Sequence, residues 1–418
     1  MTIRPLAFLS LVLAAAPSLA AGPVPFKVIT RPSVTTDRMG GIDHPDRKTL
    51  LAMHRSQYIL HARAGTLTRK TVQRIVIPHD DGVNPQSTQV SLSPSGTVYI
   101  RQAHIICRSA DGGRTWKASP FTVPESVNTG WRWKVLRDGS FLTVGCKHGK
   151  DARTPATVWR STDEAQTWKK LATIPLNLKL PGGKPYSERY VHRGLEILSN
   201  GTLLWSVDVR GKPGENAHGL YMYRSLDNGR TWQGPTLIHD WASEGASTLL
   251  PSGRIVATVR YQRPTHPSDP GELERNNRSI SKGWPWKNVF LIDSLDGGKT
   301  WTRPRQLTTV FGQTFGYPVS TRNGTLVVIH DTRYGPGLPG SRAIVSHDEG
   351  KTWQDEVYYL DVSKFTGSYS ASVTLKDDTI LTISGSSQAG NSWAAVNTTT
   401  DFHAIRWKPS VRKKAAAK

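Results

Sequence analysis

The sequence predicts an all-β chain closed into a propeller, on three observations. An eight-residue box, S-x-D-x-G-x-T-W, recurs at Ser109–Trp116, Ser225–Trp232, Ser294–Trp301 and Ser346–Trp353, with a degenerate copy at Ser161–Trp168 that carries Ala165 in the glycine place. The copies start about 50 to 70 residues apart, the order of period at which propeller blades repeat. Between them runs a second pattern, two short β-rich stretches around a turn, and no long amphipathic helical pattern interrupts it.

Each box reads as a hairpin turn. Ser and Asp side chains bond turn amides, Gly supplies the positive φ that a tight hairpin needs, and Thr and Trp open the next strand. Runs such as Ala343-Ile344-Val345 and Val289-Phe290-Leu291-Ile292 lead into the boxes. The boxes are therefore staples between outer strands and carry no chemistry of their own.

The strand–turn–strand units follow in order. Ser87 to Ile100 turns at Ser95-Gly96, Trp131 to Val144 at Asp138-Gly139, and Val191 to Val207 at Asn200-Gly201. Ala246 to Val259 turns at Ser252-Gly253, Tyr317 to Ile329 at Asn323-Gly324, and Tyr369 to Ile383 at Lys376-Asp377-Asp378. A weaker unit, Arg38 to Met53, turns at Pro45-Asp46-Arg47-Lys48 and lacks a box. That makes seven countable repeats, and six or seven blades are both consistent with them. Longer polar inserts at Arg210 to His218, Arg263 to Trp286 and Gly335 to Gly340 fall where loops wall a pocket.

Residues 1–21 read as an export leader. Arg4 supplies the positive start, Leu6 to Ala16 the short apolar core, and Ser18-Leu19-Ala20 the small-residue cleavage site. The apolar run is too short to span a bilayer, and no other segment is long and apolar enough to do so. Residues 22–410 form one propeller domain and 411–418 a basic tail, in a protein exported to periplasm or medium. Cys107 and Cys146 are the only cysteines, and pairing or two buried thiols are equally consistent with their places. No Cys/His cluster has zinc spacing, and no cofactor or metal is called for. Lys and Arg number 54 against 32 Asp and Glu, a formal charge of +22. Such a field favours an anionic partner, and in an exported propeller that partner is an acidic glycan or glycoconjugate rather than nucleic acid.

The boxes resemble those of the sialidase (neuraminidase) superfamily, the BNR or Asp-box repeat proteins, over most of the chain after the leader. The resemblance implies a six-bladed fold and extends to particular residues. Ser243-Glu244-Gly245, the turn Pro251-Ser252-Gly253 and Arg260, sixteen residues after Glu244, resemble the family's glutamate, turn and arginine. Ser341-Arg342 before the Ser346 box looks like its third arginine, and Ser368-Tyr369-Ser370 like its nucleophile segment. Arg38 matches the first arginine by spacing alone, because Arg38-Met39-Gly40 lacks the family's Arg-Ile-Pro.

These types suit one chemistry. Guanidiniums hold a sugar carboxylate, one of them in bidentate fashion. A carboxylate nucleophile would be repelled by that substrate, whereas a Tyr hydroxyl is not, and a Glu can take its proton in a retaining, two-step hydrolysis. The resemblance implies Tyr369 as nucleophile, Glu244 as its base, and Arg38, Arg260 and Arg342 as the clamp of an exo-acting glycosidase on a terminal acidic sugar. The family's general-acid Asp has no match. Arg55 to Pro78 contains no acid, and Asp43, Asp46, Asp80 and Asp81 are stand-ins without its context.

Residues ahead of the turn motifs converge on a propeller axis. Arg132, Trp133 and Tyr190 belong to that group, as do the weaker site candidates Asp43, His44, His192, Arg193 and Tyr317. His44, His192, Arg193 and Tyr317 support a second reading, a lyase or hydrolase on uronate-linked sugars, with Arg neutralising the uronate and Tyr or His moving the proton. A third is a binder of acidic glycan without turnover.

Overall fold

The computed structural model describes residues 57–61, 66–70, 73–79, 89–102, 105–121, 133–146, 149–150, 154–190, 194–212, 218–263, 286–308, 312–332, 340–354, 356–361, 370–386 and 401–411. Among them every regular element is a strand. The chain opens with the hairpin β1 (Gln57–His61) and β2 (Thr66–Lys70), then β3 (Gln73–Val76). Blade one is β4 (Gln89–Leu92), β5 (Val98–Arg101), β6 (Ile105–Ser109) and β7 (Lys117–Pro120). Blade two is β8 (Trp133–Val135), β9 (Phe141–Gly145), β11 (Ala156–Ser161) and β12 (Lys169–Ile174); the short β10 (Gly149–Lys150) joins the next sheet.

In blade three, β13 (Glu188–Tyr190) and β14 (Leu195–Ile197) both pair with β15 (Leu203–Arg210), followed by β16 (His218–Ser225) and β17 (Gln233–Asp240). Blade four is β18 (Ala242–Leu249), β19 (Ile255–Arg263), β20 (Trp286–Ser294) and β21 (Arg305–Gln306). Blade five is β22 (Gln313–Ser320), β23 (Leu326–Thr332), β24 (Gly340–Ser346) and β25 (Val357–Tyr359), with β1 and β2 added at its outer edge. Blade six is β26 (Ala371–Thr374), β27 (Ile380–Ser386), β28 (Asp401–Trp407) and, from the other end of the chain, β3.

The blades are thus six, one of the two numbers that the seven countable repeats left open. The weak unit at Arg38 to Met53 lies outside the described residues. The chain before blade one supplies outer strands to blades five and six instead.

The middle strands have sheets on both sides and read as unbroken apolar runs. Leu326-Val327-Val328-Ile329 in β23 is buried throughout, whereas outer strand β7 is exposed throughout. The core is accordingly a ring of blade-to-blade contacts rather than one centre. Phe141 and Trp133 stack at 5.5 Å at the junction of blades one and two. Leu142, Val158 and Trp205 fill the next junction, Leu204 and Phe290 the one after, and Leu291 with Leu326 the junction of blades four and five. Val327, Ile383 and Val98 belong to a larger cluster that joins blades five, six and one.

All five boxes fold alike. In the Ser294 copy, Ser294 Oγ donates to Asp296 at 2.8 Å and accepts the Gly298 amide at 2.8 Å. Asp296 also accepts the Thr300 amide at 2.9 Å and the Thr300 hydroxyl at 2.6 Å. The Thr300 hydroxyl, then its amide, hold the Asp296 carboxyl well below the usual carboxylate range. The two central residues have positive φ in every copy, including Glu164 (53°) and Ala165 (68°) in the degenerate one, as a type I′ hairpin requires. Each box Trp packs into the junction with the preceding blade.

Strands in each blade alternate in direction, so the inner turns and the boxes share one end of the propeller. The starts of inner strands, the ends of second strands and the starts of third strands share the other.

Candidate functional site

That second end collects the chemistry. Glu244 stands near the start of β18, on a bulge between Ser243 and Ala246. Its φ of 57° is left-handed and uncommon for a residue with a side chain. Phe315 has the same φ at the matching bulge of β22, between Thr314 and Tyr317. A glycine follows each, and at Gly316 a Cβ would stand 2.7 Å from Val289 Cγ1, so the next blade strand is approached by backbone alone.

Ser243 is the direct register partner of Arg260 on β19. Arg260 Nη1 lies 2.9 Å from Glu244 Oε1, and its Nε donates to Ser243 Oγ at 3.1 Å. Both side chains are buried, and the guanidinium carbon lies 5.7 Å from the Phe315 ring centre. The glutamate and arginine singled out by sequence are therefore brought into one ion pair.

A second cation stands at the same end on blade three. Arg210, at the end of β15, lies 3.3 Å from Asp208 and 4.3 Å over the Tyr190 ring. Tyr190 donates its hydroxyl to Glu188 at 2.9 Å. His218, at the start of β16, stacks on Trp241 at 5.9 Å. Burial, then the charges of Arg210 and Arg260, push its imidazole down to about 3, against a smaller opposing pull from Asp208. His218 is thus a neutral ring that feels two guanidinium charges.

Arg342 lies on neighbouring blade five, buried near the start of β24 with its guanidinium 4.7 Å over Tyr359. Across the ladder it faces His330, which burial and then the Arg342 charge bring down to about 3. Ser341 meets Asp331 at 3.2 Å and Ser370 at 2.6 Å. The Ser341-Arg342 strand start and the residue next to Tyr369 are therefore in contact.

Tyr369, Arg38, Asp43, His44, His192, Arg193 and Arg132 lie outside the described residues, as do Asp46, Asp80 and Asp81. So does most of the three polar inserts. Trp133 is buried in the junction of blades one and two. Tyr317 is buried farther along β22 from Phe315, where it meets Glu196 and Lys134 and lines a cavity at the box end. Among the described residues no group of three or more His, Cys, Asp or Glu is placed to hold a metal ion. No described helix is long and apolar enough to cross a membrane.

Arg210, Asp208 and His218 were missed as site residues. They belong to no motif, and only their position at strand ends flanking an insert could have pointed to them.

No protein-family model matches the sequence, and no curated protein does. Solved structures do. One of unknown function from Dyadobacter fermentans is 17% identical with a TM-score of 0.57, over 81% of this chain and 99% of that one. An α-L-arabinofuranosidase of Fusarium graminearum is 16% identical with a TM-score of 0.54, over 79% and 96%. A Hadza microbial sialidase is 15% identical with a TM-score of 0.51, over 77% and 65%. At these identities the likeness carries the fold. The chain is a six-bladed β-propeller of the architecture found in sialidases and arabinofuranosidases.

Proposed function

We propose that the protein is an exported glycoside hydrolase that removes a terminal acidic sugar from a glycan. The observation that supports this most is the buried Glu244–Arg260 pair on a left-handed bulge, at the end of the propeller where Arg342 is also buried. Two structural neighbours, an arabinofuranosidase and a sialidase, are both glycosidases. The reading on the acid comes from the arginines, since neutral pentose needs no such clamp.

In this reading Arg260 and Arg342, with Arg38, hold the substrate carboxylate. Tyr369 attacks the anomeric carbon through its oxygen and passes its proton to Glu244, while the glycosidic C–O bond breaks and the leaving oxygen takes a proton from a water molecule. Water, or the hydroxide left by the first step, then attacks the glycosyl–tyrosine carbon, the tyrosine oxygen leaves and regains its proton from Glu244, and the configuration is retained.

The test is release of a fluorophore from a sialoside, a glucuronide and an arabinofuranoside. Wild type is expected to cleave an acidic glycoside. Tyr369→Phe and Glu244→Gln are each expected to lose at least about a hundredfold in rate. Full activity in Tyr369→Phe sinks the tyrosine mechanism, and turnover of the arabinofuranoside alone sinks the acidic-sugar reading. Binding of acidic oligosaccharide without release of any fluorophore makes the protein a lectin-like binder instead.

A further inference from the structure

The box end of the channel holds a feature that the candidate site does not use. A cavity of about 650 Å³ opens there, within the size range of small-molecule sites. Turn residues Pro94, Ser199 and Pro251 form part of its wall, which fixes it at the end opposite Glu244.

Three buried side chains from three blades meet in it. Lys134 Nζ lies 2.8 Å from Glu196 Oε2, and Tyr317 donates to the same oxygen at 3.3 Å. Lys134 also donates to Tyr317 at 3.4 Å and to the Val90 carbonyl at 3.2 Å. Burial by itself would pull the ammonium down, but the Glu196 carboxylate and the Tyr317 hydroxyl more than offset it and leave it raised. The cluster therefore carries one positive and one negative charge and is neutral in sum.

Ser91, Ser247 and Ser372 line the same wall, all buried; Ser91 Oγ accepts the Val135 amide at 2.9 Å and Ser372 donates to Thr382 at 3.0 Å, so each keeps only its remaining hydrogen-bonding capacity. The inner strands are sheet edges, and an edge presents main-chain amides and carbonyls without ladder partners. The wall thus presents polar groups and no net charge, although the Trp133 and Val135 amides and the Val90 carbonyl are already bonded by side chains. At the rim, by contrast, two exposed guanidiniums stand on the inner turns, Arg137 and Arg322. Arg137 also donates to the Ser199 carbonyl, which holds it against the next blade.

We propose that this cavity is a second binding site, for a hydroxylated monocarboxylate of sugar-acid size. Its hydroxyls meet Lys134 and Glu196, and its carboxylate meets a rim guanidinium, Arg137 of blade two or Arg322 of blade five. A neutral sugar leaves the rim unmatched, and a bare inorganic anion leaves the wall unmatched. The site is independent of any activity at Glu244.

Calorimetric titration of the folded full chain tests this, with D-glucuronate, D-glucose and inorganic phosphate as probes. Glucuronate is expected to bind at least about tenfold more tightly than the other two. The double variant Arg137→Ala/Arg322→Ala, at exposed turn positions, is expected to weaken that binding by at least about tenfold, with an unchanged thermal melt. Arg260→Gln at the opposite end is expected to leave it in place. The proposal is overturned if glucuronate gives no heat, if phosphate binds as tightly, or if Arg260→Gln removes the binding while the rim variant keeps it.

Discussion

Glu244 is held in place by backbone conformation as much as by its partner. The S-E-G step was legible through resemblance as a candidate site segment, and the pairing of Glu244 with Arg260 follows from a hairpin that returns the chain to Ser243. The chemistry around it was not legible. His218 of blade three feels the charge of Arg260 on blade four, and no local spacing encodes such a relation between blades. The two buried imidazoles make a prediction at this scale. His218 and His330 are held near 3, against 6.5 for the free ring, so the native state keeps both neutral. The unfolded chain takes up protons below about pH 6.5, so this part of the stability is present above that pH and is lost as the pH falls toward 3. The loss is on the order of 1 kcal/mol per pH unit for each ring. Urea unfolding at pH 7, 6 and 5 checks it: the double variant His218→Gln/His330→Gln is expected to show a flatter profile than wild type.

At the scale of the element, the box is the unit that sequence reads best, because its bonds lie within eight residues. Its fifth position shows where sequence and packing divide. Gly113, Gly229, Gly298 and Gly350 occupy it with φ between 85° and 87°. At Gly229 a Cβ would stand 2.4 Å from Leu142 Cδ1 of the preceding blade. Gly229→Ala therefore adds left-handed strain of about 1–2 kcal/mol to overpacking of about 1–3 kcal/mol. Ala165 already occupies the place in the degenerate box, fully buried. Ala165→Gly relieves the strain but gives up about 0.8 kcal/mol of methyl burial and about 0.5–1 kcal/mol of chain entropy. Its net effect is expected to lie within about 1 kcal/mol of zero. Urea midpoints of the two variants decide it: equal losses would refute the preceding-blade contact as the cause.

At the scale of the whole molecule, the ring is closed by β3 rather than by a repeat. This explains why blade six has no box. Its third strand is β28 and its fourth is β3, near opposite ends of the chain, so no hairpin joins them and no staple is needed. Arg74 of β3 also donates to the Leu360 carbonyl at 2.5 Å and lies 3.5 Å from buried Asp361, which accepts from Ser384. The closing strand is thereby tied to blades five and six together. Arg74→Met is expected to cost about 3 kcal/mol and to raise hydrogen exchange in β28 before other strands. Uniform protection across all blades in that variant would show that the ring does not depend on this tie. Cys107 and Cys146 are buried and are not joined in a disulfide. A thiol reagent is expected to find two reactive groups per chain in denaturant and none in the native protein.

Sequence by itself determined the all-β character, the five boxes, six of the seven turns and the Glu244 and Arg260 pair, because each is encoded within one hairpin. It also marked Arg342 by its place ahead of a box. Tertiary structure decided the number of blades, the closing strand, the state of the two thiols, and the meeting of Lys134, Glu196 and Tyr317 across three blades. Those depend on where the ring closes, and closure is settled by packing between sheets over hundreds of residues, for which no period or motif in the chain is a record.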